Sequence, residues 1–188
     1  MKMISTAIRV SIGLMIICGF IYPLVTTGVA QVLFPKQADG SLMEAADGTV
    51  TGSELLAQGV DSPKLFHPRA SMAKYDPTAS AGSNRAVATP DYVKEIGDNV
   101  AAVKADNPGM TDVPADLVTA SGSGFDPDLS PEAAKAQVPR ISKATGMSAD
   151  DLNKLIDGLE KSRQLGIFGE PRVNVNALNE ALLKQIKL

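Results

Sequence analysis

One cysteine, one histidine and no tryptophan occur in 188 residues, and each scarcity closes off a chemistry. A lone cysteine excludes an internal disulfide framework and a zinc site built on several thiolates. With one histidine, His67, a His-rich metal centre is excluded, and any serine–histidine catalytic pair would have to use that residue. There is no basic excess: 18 Lys and Arg stand against 21 Asp and Glu, a net charge of −3. The electrostatic footprint of a nucleic-acid binder is therefore missing. Also absent are the Gly-x-x-x-x-Gly-Lys-Ser/Thr phosphate loop and a Gly-x-Ser-x-Gly nucleophile elbow.

The charge that is present is unevenly spread. Residues 10–35 carry none and are mostly aliphatic. Only Lys2 and Arg9 precede them, so the remainder holds 16 Lys and Arg against 21 Asp and Glu, a net of −5. As a helix, residues 10–34 would measure about 38 Å, enough to cross a hydrocarbon core of about 30 Å with some tilt. A cleaved signal peptide, ending after Gly28-Val29-Ala30 and releasing a secreted binding protein, is the alternative. The apolar character continues through Val32, Leu33 and Phe34, past the length of a signal core, which favours a retained anchor. Pro23 predicts a local kink. Thr26, Thr27 and Gln31 follow it, and with Pro23 they are the expected packing residues against neighbouring helices in lipid. Basic residues before the span, and Asp39, Glu44 and Asp47 with Lys36 after it, place residues 1–9 in the cytoplasm and residues 35–188 outside.

The expected fold class is α+β: one extracytoplasmic domain anchored by one N-terminal transmembrane helix. Leu42-Met43 and Thr49-Val50-Thr51 around Ala46-Asp47-Gly48 predict a hairpin. Gly52-Ser53 suggests a cap for a short helix over residues 54–58. Residues 61–90 are rich in Pro, Ser, Gly and Asn, yet include Phe66, His67, Arg69, Tyr75 and Asn84, which points to a structured loop. Thr89-Pro90 and Ser130-Pro131 predict helix starts. The first of these helices runs to Asn107-Pro108, and Pro139 kinks or ends the second. Ser148-x-x-Asp151 resembles a capping box ahead of Leu152, Leu155, Ile156 and Leu159. Asn176 is read as the cap of a last helix burying Leu178, Leu182, Leu183 and Ile186. Strands are expected over residues 117–120 and 172–175.

Candidate functional residues fall in three places. His67, Arg69 and Ser71 alternate around Pro68, forming either a docking or anion-binding edge or a set of pins for their own loop. Ser121 and Ser123 lie in a Ser/Gly turn with Asp126. The turn reads as an anion cradle, as the nucleophile of an anchored hydrolase using His67, or as a tight turn whose Asp126 and Asp128 bond local backbone. A calcium loop beginning at Asp126 lacks its Gly and Glu, having Pro131 and Gln137 there. Gln137 and Arg140 sit one turn apart, as a contact patch or a solvated face.

Taken in order, several blocks resemble the C subunit of the Kdp-type potassium-transporting ATPase over nearly the whole chain. They are Tyr22-Pro23-Leu24, Phe34-Pro35-Lys36-Gln37, Gly52-Ser53-Glu54-Leu55-Leu56, Phe66-His67-Pro68-Arg69, Asp116-Leu117-Val118-Thr119-Ala120-Ser121-Gly122-Ser123-Gly124-Phe125-Asp126-Pro127 and Gly169-Glu170-Pro171-Arg172-Val173-Asn174-Val175. Pro68, Ala70, Asp128 and Pro139 depart from the family pattern. The resemblance implies a non-catalytic accessory subunit of a complex in the cell inner membrane, needed for assembly. Its partners are a channel-like A subunit that carries potassium, a P-type B subunit that holds and hydrolyses ATP, and a small F subunit. It also implies a catalytic-chaperone role that raises the B subunit's affinity for ATP. The orientation read from the flanks puts the domain across the membrane from cytoplasmic ATP. A domain sitting over the A subunit's potassium entrance, coupled to the ATPase by the single helix, reconciles the two.

Overall fold

The computed structural model describes residues 2–45 and 47–186 of a mixed helix-and-sheet protein. The chain divides into two compact units, Met1–Thr51 and Gly52–Leu188.

In the first unit one continuous helix, Lys2–Leu33, is long and apolar enough to cross a membrane. It comprises α1 (Lys2–Ile16), a π-helical turn (Ile17–Ile21) and α2 (Tyr22–Leu33). The π turn has an identifiable cause. A proline ring collides with the carbonyl four residues back, here that of Gly19. Widening the preceding turn, so that the Tyr22 N–H donates to the Ile17 carbonyl, makes room for Pro23 at the start of α2. Phe34, at φ −140°, ends the helix, and Pro35 opens α3 (Pro35–Ala38). Gly40 and Ser41 turn through positive φ, and the Ser41 N–H closes on the Lys36 carbonyl at 2.8 Å. The expected hairpin is formed by β1 (Leu42–Glu44) and β2 (Val50–Ser53). Of its turn residues, Ala46 lies outside the described residues.

The second unit starts differently from the sequence expectation. Residues 54–58 form a turn and no helix: the Ser53 hydroxyl accepts the Leu55 N–H, but no intrahelical ladder follows. No helix or strand appears from there until α4 (Pro90–Asp106), which begins after Thr89 as the Thr-Pro pair predicts and ends at Asn107. α5 (Ala115–Val118) occupies the segment read as a strand. A single helical turn closed by the Thr119 N–H on the Ala115 carbonyl is too short to show a helical period. Two further helices, α6 (Pro131–Ala136) and α7 (Val138–Thr145), are one predicted helix divided where Pro139 cannot continue it. α8 (Ala149–Leu159) starts with the Ser148 hydroxyl accepting the Asp151 N–H. α9 (Val175–Leu183) is capped by Asn174, whose side chain accepts the Ala177 N–H. The expected cap, Asn176, instead donates to the Ser53 and Leu56 carbonyls.

β3 (Asp128–Leu129), β4 (Glu160–Lys161) and β5 (Arg172–Asn174) form an antiparallel sheet in the order β3-β5-β4. Leu129 pairs with Val173, and Glu160 pairs with Val173 on the other side. Helices α6 to α9 bury one core against β5: Ile141, Leu152, Ile156, Val173, Leu178 and Leu182 are wholly enclosed. Leu183, expected inside, is exposed. Phe66 enters this core from the long irregular segment and is also wholly buried. That burial holds residues 61–90 as a structured loop, as its composition suggests.

Candidate functional site

The residues singled out in the long loop are used to fasten it. The Phe66 peptide is gripped at both ends by one amide: its N–H donates to Asn179 Oδ1 at 2.8 Å, and Asn179 Nδ2 donates to its carbonyl at 2.9 Å. Gln137 does the same for His67, accepting its N–H at 2.8 Å and donating to its carbonyl at 3.1 Å. Two side-chain amides thus satisfy four backbone groups that a buried loop would otherwise leave unpaired. Gln137 is 1% exposed and Arg140 8%, so neither belongs to a solvated face. The reason lies in partners far away in sequence. Arg140 donates from Nη1 to the Pro63 and Leu65 carbonyls at 2.7 and 2.9 Å, from Nη2 to Gln137 Oε1 at 2.7 Å, and from Nε to Asn107 Oδ1 at 2.9 Å. Every one of these acceptors is neutral. Burial pushes the Arg140 pKa down, opposed by the Asp106 charge, but a guanidinium stays protonated at physiological pH.

His67, half-buried, holds the Ser62 carbonyl with Nε2 at 3.0 Å. Desolvation first, and the Arg140 charge second, press its pKa below 6.5, so the ring is neutral near pH 7 and donates from Nε2. Arg69 turns elsewhere, to the Asp126 carboxylate at 3.0 Å and Thr119 Oγ1 at 3.3 Å, and its Nε finds no acceptor among the described residues. The Ser71 hydroxyl accepts the Tyr75 N–H, and the Tyr75 hydroxyl donates to the Arg69 carbonyl at 2.8 Å. Burial raises the Tyr75 pKa. Asn84 is exposed at φ +51°, a left-handed conformation that asparagine tolerates.

The Ser/Gly turn is likewise closed on itself. Ser121 Oγ accepts the Gly124 N–H at 3.0 Å and the Asp126 N–H at 3.3 Å, while Ser123 Oγ accepts that of Phe125. Gly124, at φ +81°, lies against Ala73 and the Ala81 carbonyl, each 3.0 Å from where a Cβ would stand. Asp126 Oδ1 accepts the Asp128 N–H, the local backbone bond expected of it, and Asp128 pairs with Arg172 across the sheet. The Gly124, Phe125 and Asp126 N–H groups are thus bonded to serine oxygens. Ser121, 2% exposed, and Ser123 meet each other at 3.2 Å, while the lone imidazole is held at Ser62. Among the described residues no hydrogen bond joins either serine to His67.

One surface escaped the sequence reading. Between β4 and β5 the chain makes a small hairpin in which Gln164 and Phe168 exchange backbone bonds at 2.9 and 3.0 Å and Arg163 pairs with Glu170. Its tip presents Leu165, Ile167 and Phe168, which are 89%, 72% and 63% exposed. Three large apolar side chains held outward on a closed turn cost hydration free energy in isolation and make the tip a candidate contact surface. The signal in the sequence was Leu-Gly-Ile-Phe-Gly, an apolar cluster in turn-forming company.

In the membrane helix, Thr26 Oγ1 donates back to the Tyr22 and Pro23 carbonyls at 2.8 and 3.0 Å, and Gln31 Nε2 donates to Asp39 Oδ1 at 3.0 Å. Thr27 lies beside Thr26 on an exposed stretch of the same helix.

The sequence matches the family described as KdpC, the K+-transporting ATPase c chain, over residues 4–184. Similar curated proteins carry the name potassium-transporting ATPase KdpC subunit. The one from Geobacter sulfurreducens is 50% identical over 185 residues, 97% of each chain. That from Caldanaerobacter subterraneus is 44% identical over 186 residues, 98% of this chain and 96% of its own. A Bacillus cereus relative is 43% identical over 188 residues, 99% and 97% of the two chains.

Proposed function

The chain belongs to the KdpC family of potassium-transporting ATPase subunits, and from that premise we infer that it is a non-catalytic accessory subunit which assembles and stabilises an ATP-driven potassium uptake complex. The observation that carries this reading is a contrast within unit Gly52–Leu188. Its chemically capable side chains (His67, Arg69, Ser121, Ser123, Gln137, Arg140) are engaged in holding the chain together. Its exposed apolar side chains Leu165, Ile167 and Phe168 are engaged by nothing comparable. That is the profile of a surface that binds a protein, not of one that turns over a substrate.

In this reading helix Lys2–Leu33 anchors the chain with its N-terminus in the cytoplasm, and the second unit lies outside, over the potassium entrance of the channel-like A subunit. Potassium travels through the A subunit and ATP is hydrolysed on the B subunit, with the small F subunit completing the complex. Any rise in the B subunit's ATP affinity is then transmitted by the membrane helix, because in this orientation the second unit lies across the membrane from cytoplasmic ATP. Replacing Leu165, Ile167 and Phe168 together by serine tests it. The tip is exposed, so thermal unfolding of the solubilised chain should change by no more than the few tenths of a kcal/mol usual for surface positions. Recovery of membrane partners and of potassium-stimulated ATPase activity with a tagged chain should fall at least tenfold. Full recovery with the triple variant would overturn the assignment of this surface.

A further inference from the structure

Hydrocarbon offers main-chain polar groups no partner, so every N–H and C=O within a span must be bonded by protein. In helix Lys2–Leu33 the Cys18 carbonyl is such a group, left unserved at the π turn. In a regular helix the Cys18 carbonyl would accept the Tyr22 N–H, but that N–H donates to Ile17. At the wider π spacing its donor would come from residue 23, a proline without an N–H. The Cys18 carbonyl therefore has no main-chain donor at either spacing. A serine or threonine hydroxyl can replace such a donor only from three or four residues further on, and those positions are Ile21 and Tyr22. Cys18 lies about 12 Å along the helix from the start of the uncharged run, at about 1.5 Å per residue, within the hydrocarbon and below the headgroup region. Its small side chain, and the missing one of Gly19, leave a backbone that another helix can approach closely.

We propose that the Cys18 carbonyl is the acceptor of an interhelical hydrogen bond, and that the π turn is the docking site for a transmembrane helix of another subunit carrying a hydroxyl or amide donor at that depth. This rests on the accessory-subunit reading. Lipid tails cannot donate. A parallel second copy of this chain would bring only the weak thiol donor of its own Cys18 to the same level. A partner subunit is the remaining source of a strong donor.

The chain's single cysteine makes the carbonyl observable, since [1-13C]cysteine labels only one carbonyl in it. The full-length labelled chain is purified with its pump partners, and its Cys18 band is isolated by subtracting the infrared spectrum of the same labelled complex carrying Cys18→Ala. The labelled chain alone in lipid vesicles provides the comparison. The band should lie at the hydrogen-bonded frequency in the complex and move to the free-carbonyl frequency in the chain alone. In Pro23→Ala the Tyr22 N–H can return to Cys18, so the band should be bonded in both states. Partner recovery should then fall about threefold, and at most roughly twentyfold, for one interhelical bond. A band already bonded in the chain alone would assign the donor to water, lipid or a second copy and overturn the proposal. So would a free band in the complex, or undiminished recovery with Pro23→Ala. If partners co-purify and the band fails these tests, only this inference falls; if the unlabelled wild type brings no pump subunits, the accessory-subunit reading falls and takes this one with it.

Discussion

Arg140 shows how a buried charge can be held without a counter-ion. Its donors meet two loop carbonyls and two side-chain amide oxygens, and among the described residues no carboxylate forms an ion pair with it. The arrangement makes the cation a staple: it ties Pro63 and Leu65 of the long loop to α7 and to Asn107 at the end of α4. Arg140→Ala should strip the Pro63, Leu65 and Asn107 oxygens of their donor, while Gln137 Oε1 keeps the His67 N–H, destabilising the chain by about 2–4 kcal/mol, read as a fall in the thermal midpoint. Arg140→Lys should recover only part of the loss, because an ammonium lacks the planar fork that reaches Nε, Nη1 and Nη2 positions together. His67, two residues beyond Leu65, adds a pH dependence whose sign follows from its lowered pKa. The unfolded chain takes up the proton first, so the contribution of neutral His67 is complete above about pH 6.5 and declines as the pH falls toward the folded-state value. Asp47, Asp76 and Asp151, with pKa values lowered by hydrogen bonds to Thr49, Thr78 and Ser148, act in a separate window below 3.8. Melting curves between pH 7 and about pH 5 should thus show a loss that His67→Gln removes; an unchanged slope in the variant would disprove the assignment.

At the scale of elements, the Ser/Gly turn sets the entry to the three-stranded sheet. Ser121→Ala removes the acceptor of two backbone N–H groups, one of them on buried Gly124, and should cost about 1–3 kcal/mol. Potassium-stimulated turnover per assembled complex should be unchanged; abolished turnover in a folded, assembled variant would restore a chemical role to the serine. The elements legible in the sequence were those with local signals. Thr89-Pro90, Ser130-Pro131 and Ser148 announced α4, α6 and α8, and the step at Pro139 announced the break between α6 and α7. β3 and β4 were not legible because two residues carry no period, and α5 failed for the same reason. The shift of the last cap from Asn176 to Asn174 was decided by tertiary bonds to Ser53 and Leu56. The burial of Gln137 and Arg140 was invisible for a related reason: their partners lie 70 to 77 residues away in the loop. The exposed tip at Leu165, Ile167 and Phe168 reads, in a sequence, like any core segment. Only its position on a closed turn distinguishes it.

For the molecule as a whole, the decisive open quantity is the side of the membrane on which unit Gly52–Leu188 lies. Family membership and the apolar helix give a membrane subunit, and orientation must come from charge. Lys2 and Arg9 precede the span, whereas Lys36 is outnumbered by Asp39, Glu44 and Asp47 behind it. The positive-inside rule then predicts that the second unit lies outside. Trypsin added to intact spheroplasts tests this with defined cleavage sites. Residues 62–76 are pinned by Phe66, His67 and Tyr75, which disfavours early cleavage at Arg69. Past them, Arg85 lies on exposed irregular chain ahead of α4, where a protease can seat an extended segment. Among the described residues the Arg85 side chain is held by its ion pair with Glu95, a surface pair worth about 1 kcal/mol or less. The expected outcome is a membrane-bound fragment ending at Arg85, produced without lysis, with loss of the remainder of the second unit. Cleavage that appears only after lysis would invert the topology. It would place the second unit beside cytoplasmic ATP, and a direct effect on nucleotide binding would then replace one transmitted through the membrane helix.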